Sequence, residues 1–101
     1  MQRQLVGFLG VQAVLDEATI TNIVIAKDYQ GKGLAQRLWQ MALYDLKQRD
    51  VKVVFLEVRE SNKRAQYLYE ILGFEAFHTR RDYYNDPVED AIEYRLEIER
   101  R

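Results

Sequence analysis

Tyr29-Gln-Gly-Lys-Gly-Leu-Ala35 is the stretch that decides the fold, because it joins two segments of different periodicity. Residues 18–25 before it are rich in Thr, Ile and Val, which favours a β-strand. The residues after it carry apolar side chains at helical spacing, which predicts an amphipathic helix. The first turn of a helix has unpaired N–H groups and the positive end of the helix dipole, and glycine allows a ligand to approach the backbone. The stretch is therefore suited to hold a phosphate group.

Spacing alone leaves open a second interpretation, in which the same glycines only form a turn that begins a helix. Two other phosphate-binding loops match less well. Lys32 is followed by Gly33 rather than by Ser or Thr, so the magnesium-binding hydroxyl of a P-loop is missing. The full Gly-x-Gly-x-x-Gly spacing of dinucleotide-binding folds is also absent.

Seven elements are predicted along the chain. Strands are expected over residues 5–15, 18–25, 51–58, 74–84 and 90–99, and helices over residues 33–49 and 63–72. This order, β-β-α-β-α-β-β, predicts an α/β (α+β) fold with a mixed, mostly antiparallel sheet flanked by helices. The first strand is expected to be buried on both faces and the third to be central, because both are rich in apolar residues. All 101 residues are interpreted as one domain.

Helix boundaries and faces are also readable from the sequence. Asn62 is expected to cap the second helix, and Gly73 to end it in a left-handed conformation. The apolar face of the first helix is predicted to contain Leu34, Leu38, Met41, Ala42 and Leu46, widened by Ala35, Trp39 and Leu43.

The composition excludes several classes of function. Fifteen basic and sixteen acidic residues leave a net charge of −1, which gives no reason to expect a nucleic-acid partner. The sequence has no cysteine, so disulfides, thiolate metal sites and a cysteine nucleophile are excluded. His78 is the only histidine, and no metal site is predicted. We recognise neither a signal peptide nor a membrane-spanning segment, and therefore expect a cytoplasmic protein without membrane association.

Motifs along nearly the whole chain resemble the GNAT superfamily of N-acetyltransferases. The family's cofactor loop reads Gln/Arg-x-x-Gly-x-Gly/Ala and is matched by Gln30, Gly33 and Ala35. Within the superfamily, the RimI-like enzymes, which acetylate the N-terminal alanine of a small-subunit ribosomal protein, are the most similar. The segments that carry this closer resemblance are Asp16-Glu-Ala-Thr19, Asp28-Tyr-Gln30, Leu56-Glu-Val-Arg-x-Ser-Asn62, Arg80-Arg-x-Tyr-Tyr84 and Glu89-Asp-Ala-Ile92, while Leu68-Tyr-Glu-x-Leu-Gly-Phe74 fits the superfamily pattern.

The resemblance implies that acetyl-CoA is the co-substrate and that no metal takes part. Residues implied to bind acetyl-CoA are Ile23, Val24, Ile25, Gln30, Gly31, Lys32, Gly33, Leu34, Ala35, Gln36 and Asn62. The strand residues among them would pair with the amides of pantetheine through their backbone, as a neighbouring strand does.

Direct acetyl transfer requires a neutral amine, a polarised carbonyl and a proton for the leaving thiolate. Glu57 lies in an apolar strand, where burial would suit it to act as a general base, although a pair with Arg59 on the same strand face is the plainer interpretation. Tyr69 lies on the apolar face of the second helix, where tyrosine is usually a core residue. The resemblance implies instead that Glu57 is the base and that Tyr69 protonates the coenzyme A thiolate.

The expected acceptor is the α-amine of a protein N-terminus. Tyr83 and Tyr84 are candidates to line the peptide site, and Glu89, Asp90 and Glu93 form an acidic group that is either solvated or attracts a basic peptide. A GNAT enzyme for another amine, or an acetyl-CoA-binding module without turnover, are the alternatives.

The sequence departs from the RimI-like pattern at its N-terminal side. Those enzymes carry about a strand, two helices and another strand before the first hairpin, and the loop between these two helices lines the acceptor site. These elements are not found here, so the chain is expected to be either a fragment or a minimal form. A minimal form would complete its site with a second copy, as a homodimer.

Overall fold

The computed structural model describes residues 7–98 and contains one sheet and two α-helices. The strands are β1 Gly7–Val14, β2 Glu17–Ile25, β3 Val53–Arg59, β4 Glu75–Tyr84 and β5 Glu89–Glu97; the helices are α1 Leu34–Gln48 and α2 Lys63–Ile71. The strand order is β1-β2-β3-β5-β4, and only the β2–β3 pair is parallel. The predicted element order and the mixed, mostly antiparallel sheet are therefore confirmed.

Element boundaries agree closely with those predicted from the sequence. Leu5, Val6 and Glu99, which the predicted strands included, lie outside the described residues. The predicted loop after β2 contains one short 3-10 helix, Lys27–Tyr29. Within residues 7–98, no helix is long and apolar enough to cross a membrane.

The hydrophobic core lies between one face of the sheet and both helices. Along β3, Val54, Leu56 and Val58 are buried, whereas the alternating residues are half-buried on the other face. The rings of Trp39 in α1 and of Tyr69 in α2 both pack on Phe74, with centroids 5.2 Å and 6.0 Å apart. The face of the sheet that carries Glu57 is therefore the one opposite to both described helices.

The prediction that the first strand is buried on both faces is wrong. Within the part of the chain that the structure describes, β1 is an edge strand that pairs only with β2. Leu9 and Val11 pack against the core, but Phe8 is 42% exposed and Val14 is 71% exposed. Helix α1 covers β1 on one face only, and an apolar run does not distinguish such a strand from a fully buried one.

The face of α1 differs in one respect from the prediction. Met41 was placed on the apolar face but is 70% exposed, whereas Trp39, thought only to widen that face, is 3% exposed. The reason is that the large indole ring, which packs on Phe74, sets the rotation of α1 on the sheet.

Candidate functional site

A separation of two strands opens the sheet next to the loop that follows β2. The parallel pair β2–β3 is hydrogen-bonded only from Glu17–Val53 to Thr19–Phe55, so the C-terminal halves of these strands diverge. A cavity of about 650 Å³ takes one wall from the C-terminal half of β2 and the others from the loop, the start of α1 and α2. This volume is in the range of small-molecule sites.

Nine of the eleven residues that the sequence suggested for acetyl-CoA line this cavity. They are Ile23, Ile25, Gln30, Gly31, Gly33, Leu34, Ala35, Gln36 and Asn62. The other two, Val24 and Lys32, are not among the lining residues. The ammonium of Lys32 lies 5.6 Å from the ring centroid of Tyr29 instead.

A β-bulge in β2 decides which of its side chains reach the cavity. The pairing with β1 passes from Gly10–Asn22 to Val11–Ile20, so Thr21 is the extra residue. An extra residue reverses the alternation of side chains along a strand. Ile20 is buried before the bulge, and after it Ile23 lines the cavity while the side chain of Val24 points to the opposite face.

The loop presents the start of α1 to the cavity without a side-chain cap. Gly31 and Gly33 both have φ of 77°, and Gly33 is the N-cap of α1. Gly33 has no side chain to cap the helix, and among residues 7–98 no side-chain cap hydrogen bond is made at this end of α1. The N–H groups of Leu34, Ala35 and Gln36 therefore keep their capacity to bind an anionic ligand.

Side-chain hydrogen bonds connect the loop to both neighbouring elements. Gln30 Nε2 donates to the carbonyl oxygen of Ile25 over 3.1 Å, and Arg64 Nη2 donates to Gln30 Oε1 over 3.2 Å. Asn62 Oδ1 accepts from the amide of Ala65 over 3.1 Å, which confirms Asn62 as the N-cap of α2. The loop and α2 thus hold opposite sides of one cavity.

Sequence reasoning missed the contribution of α2 to the cavity. Arg64, Tyr67, Leu68 and Ile71 all line it. Their spacing of i, i+3, i+4 and i+7 marks one helix face, a signal that is visible in the sequence. The sequence does not distinguish this face from the buried face of α2, which contains Tyr69 and runs beside it.

Glu57 is half-buried and does not pair with Arg59, contrary to the plainer interpretation of the sequence. Arg59 Nη1 lies 3.2 Å from Glu89 Oε2, and its guanidinium stacks on the ring of Tyr84, 4.3 Å from the centroid. The Glu57 carboxylate raises the pKa of the Tyr83 phenol in β4.

Tyr69 is a core residue, only 6% exposed, and is not among the residues that line the cavity. Its ring lies 6.0 Å from that of Phe74 and 6.4 Å from that of Tyr94. Burial raises the pKa of the Tyr69 phenol, so this group keeps its proton at neutral pH. The structure thus brings the loop residues together in one cavity and leaves both predicted catalytic residues outside its walls.

The predicted acidic group at the start of β5 is engaged in hydrogen bonds. Ser61 and then Arg59 donate to Glu89 and hold the pKa of its carboxyl below its usual value. Arg80 Nε donates to Glu93 Oε1 over 2.8 Å and lowers the pKa of the Glu93 carboxyl. Glu89 and Glu93 thus each have a cationic partner within the chain, whereas Asp90 Oδ1 accepts from the amide of Asp82 over 2.8 Å. In the part of the chain that the structure describes, no three His, Asp or Glu side chains converge as a metal site.

Comparison with known proteins assigns the chain to a family. The model of the acetyltransferase (GNAT) family matches residues 2–74. The chain belongs to the GNAT acetyltransferase family. The resemblance noted in its sequence is thereby confirmed, and acetyl-CoA is the acetyl donor that GNAT enzymes use.

Two GNAT relatives with high sequence identity to this chain carry the same name. The [ribosomal protein bS18]-alanine N-acetyltransferase of Haemophilus influenzae is 45% identical over 83% of this chain and 57% of its own length. The enzyme of the same name from Escherichia coli K12 is 44% identical over 94% of this chain and 66% of its own length. This GNAT chain therefore spans about three-fifths of the length of the curated relatives it matches.

Solved GNAT structures show the same fold. The crystal structure of the ribosomal-protein-S18-alanine N-acetyltransferase from Escherichia coli matches with a TM-score of 0.84, covering 95% of this chain and 63% of that one. A GNAT family acetyltransferase from Elizabethkingia anophelis with acetyl-CoA bound matches with a TM-score of 0.85 at 20% identity, covering 94% of this chain and 70% of that one.

Proposed function

We propose that the protein transfers an acetyl group from acetyl-CoA to the α-amine of a protein N-terminus, with the N-terminal alanine of ribosomal protein bS18 as acceptor. The observation that carries the cofactor part is the cavity of about 650 Å³ into which the uncapped start of α1 opens. The acceptor part is supported by the shared name of relatives that are 44–45% identical.

In this proposal, the pyrophosphate of acetyl-CoA binds to the amides of Gly31 to Gln36, and the pantetheine arm follows β2. The left-handed backbone at Gly31 and Gly33 and the dipole of α1 both favour binding of an anion there. Arg64 adds a cation to the opposite wall of the cavity. Asn62 lies on that wall as well, at the N-terminus of α2.

The proposed chemistry uses Glu57 and Tyr69 on the two sides of the acetyl group. Glu57 removes a proton from the acceptor ammonium, directly or through a water molecule. The freed amine attacks the thioester carbonyl carbon, the carbon–sulfur bond breaks, and Tyr69 donates its proton to the departing thiolate. The nitrogen of the new amide releases its second proton, which restores the Tyr69 phenol through solvent. Two features support these roles: Glu57 lies on the face of β3 away from the helices, and burial keeps the Tyr69 phenol protonated.

The acceptor peptide is proposed to bind on the same face as Glu57, where Tyr83 and Tyr84 contact each other at the end of β4 with centroids 5.1 Å apart. A ribosomal acceptor implies a cytoplasmic location, which we propose for this protein. We also propose a homodimer, to be tested by light scattering after size-exclusion chromatography.

A second candidate function is an acetyl-CoA-binding module without turnover. The observation that favours it is that neither Glu57 nor Tyr69 is among the residues that line the cavity. A module would bind acetyl-CoA through the same cavity but would not transfer the acetyl group.

One assay separates the two candidates. The protein is incubated with acetyl-CoA and a basic peptide that begins with alanine, and release of free coenzyme A is followed together with the mass of the peptide. We expect acetylation of the peptide α-amine, reduced by two to four orders of magnitude in Glu57→Gln, because a general base contributes about 10²- to 10⁴-fold. Tight binding of acetyl-CoA with no acetylation of any amine would favour the module.

A matched control for the carboxylate is available three residues along the chain. Glu60 is exposed, so Glu60→Gln makes the same chemical change and should leave turnover at the parent value. Tyr69→Phe keeps the ring in the core and removes only the hydroxyl. A Glu57→Gln or Tyr69→Phe variant that turns over like the parent would remove that residue from the mechanism.

A further inference from the structure

The turn between β3 and α2 carries a wall residue of the cavity and is held from two sides. Arg59 ends β3, and Asn62 both caps α2 and lines the cavity. From α2, Gln66 Nε2 donates to the carbonyl oxygens of Arg59 and Glu60, over 3.1 Å and 2.8 Å. These two bonds fix the carbonyl groups of the turn against the helix that follows it.

The start of β5 holds N–H groups of the same turn from the other side. The amide of Glu60 donates to the carbonyl oxygen of Asp90 over 3.0 Å, a backbone contact that does not depend on the side chain at either position. The amide of Ser61 donates to Glu89 Oε1, a contact that requires an acceptor on the side chain. The Glu89 side chain, only 15% exposed, therefore joins the β4–β5 hairpin to the turn before α2.

The Glu89 carboxylate has a different donor on each oxygen. Ser61 binds Oε1, whereas Arg59 Nη1 lies 3.2 Å from Oε2. The Arg59 guanidinium is itself held, because it stacks 4.3 Å from the ring centroid of Tyr84 and lies 3.4 Å from the carbonyl oxygen of Pro87. Hydrogen bonds to an ionised acceptor are stronger than those between neutral groups, so this carboxylate fixes the position of the turn.

We infer that Glu89 is a positioning residue that holds the turn before α2, and with it Asn62, in the arrangement that binds acetyl-CoA. The inference rests on the proposed function, because it takes the cavity as the acetyl-CoA site. Asn62 directly follows Ser61, so a shift of the Ser61 amide moves the wall of the cavity. Glu89 is not among the residues that line the cavity, and it acts on the cofactor through Asn62.

Binding of acetyl-CoA, measured by calorimetry, tests the inference. Glu89→Ala removes the acceptor of the Ser61 amide and should raise the Kd about tenfold, the size expected when one hydrogen bond in a site is lost. Glu89→Gln keeps an amide oxygen that can accept from Ser61 and should bind close to the parent value. Glu97→Ala is the matched control, at an exposed glutamate near the other end of β5, and should leave the Kd unchanged.

A double-mutant cycle with Asn62 separates positioning from a general loss of stability. Asn62→Ser removes the amide but keeps a good N-cap for α2. In this background Glu89→Ala should have no further effect on the Kd, because Glu89 acts through Asn62. In turnover, Glu89→Ala should raise the KM for acetyl-CoA and leave kcat unchanged. A purely structural role would lower the melting temperature and leave the Kd of the folded protein at the parent value.

Hydrogen exchange followed by nuclear magnetic resonance tests the contact in the unaltered protein. Ser61 lies on the surface, yet its amide should exchange slowly because the Glu89 carboxylate holds it. The protection should persist in Glu89→Gln and be lost in Glu89→Ala. If Glu89→Ala does not fold, the parent alone decides, since a Ser61 amide that exchanges freely there overturns the inference.

The outcomes distinguish this inference from the proposed function. If the parent binds acetyl-CoA and Glu89→Ala binds it equally well, the inference is overturned and the proposed function stands. If the parent does not bind acetyl-CoA, the proposed function fails and the inference fails with it. Additive effects of Glu89→Ala and Asn62→Ser, or a Glu89→Gln variant that binds as weakly as Glu89→Ala, also overturn the inference.

Discussion

Replacing Gly33 by alanine tests the backbone geometry on which the cavity depends. Gly33 has φ of 77° and ψ of 12°, and an added Cβ would meet no atom within 4 Å. The side chain therefore has room, and the whole effect comes from the left-handed backbone. That conformation costs about 1–2 kcal/mol for a residue with a Cβ. For a domain of this size, each kcal/mol lowers the melting temperature by about 4–8 °C.

Thermal and urea unfolding, followed by circular dichroism, measure this loss. Gly33→Asn is the matched variant, because asparagine tolerates the left-handed region better than alanine does. We expect the order parent, Gly33→Asn, Gly33→Ala in decreasing stability. An alanine variant that regains stability by moving the loop should lose affinity for acetyl-CoA in calorimetry. Unchanged stability and unchanged affinity in Gly33→Ala would refute the left-handed start of α1.

Three further changes test other parts of the structure. Arg64→Met should weaken acetyl-CoA binding about tenfold in calorimetry, because it removes a charged hydrogen-bond donor from the cavity wall; equal affinity would remove Arg64 from the site. Burial, and then Glu70, raise the pKa of Tyr94 to about 12. Stability should therefore be full below the ordinary tyrosine pKa and fall as the pH rises toward 12, and Tyr94→Phe should reduce this slope in urea unfolding at alkaline pH. Hydrogen bonds from Ser61 lower the pKa of Glu89. The charged Glu89 therefore stabilises the fold above the ordinary glutamate pKa, and this stabilisation should be lost as the pH falls through the lowered pKa. Glu89→Gln should remove that part of the acid dependence, and an identical acid profile in this variant would contradict the assignment.

Local features of the fold were predictable from the sequence because they depend on near neighbours in the chain. Asn62 caps α2 through the amide three residues on, and Gly73 has φ of 100° immediately after that helix. The loop around Gly33 enters α1 as expected from its glycines. The same reasoning failed for Met41 and for the faces of β1, because exposure depends on which elements cover a residue.

The sequence by itself determined the element order, the helix caps and the presence of a glycine loop before a helix, and these were sufficient to indicate the family. Only the tertiary structure decided the partners of the site residues. It paired Gln30 with Arg64 across the cavity, and it paired Arg59 with Glu89 of β5 instead of with its neighbour Glu57. Such pairs join residues far apart in the chain. They depend on strand register, on the bulge in β2 and on the packing of α2, all of which are set by the folded chain as a whole.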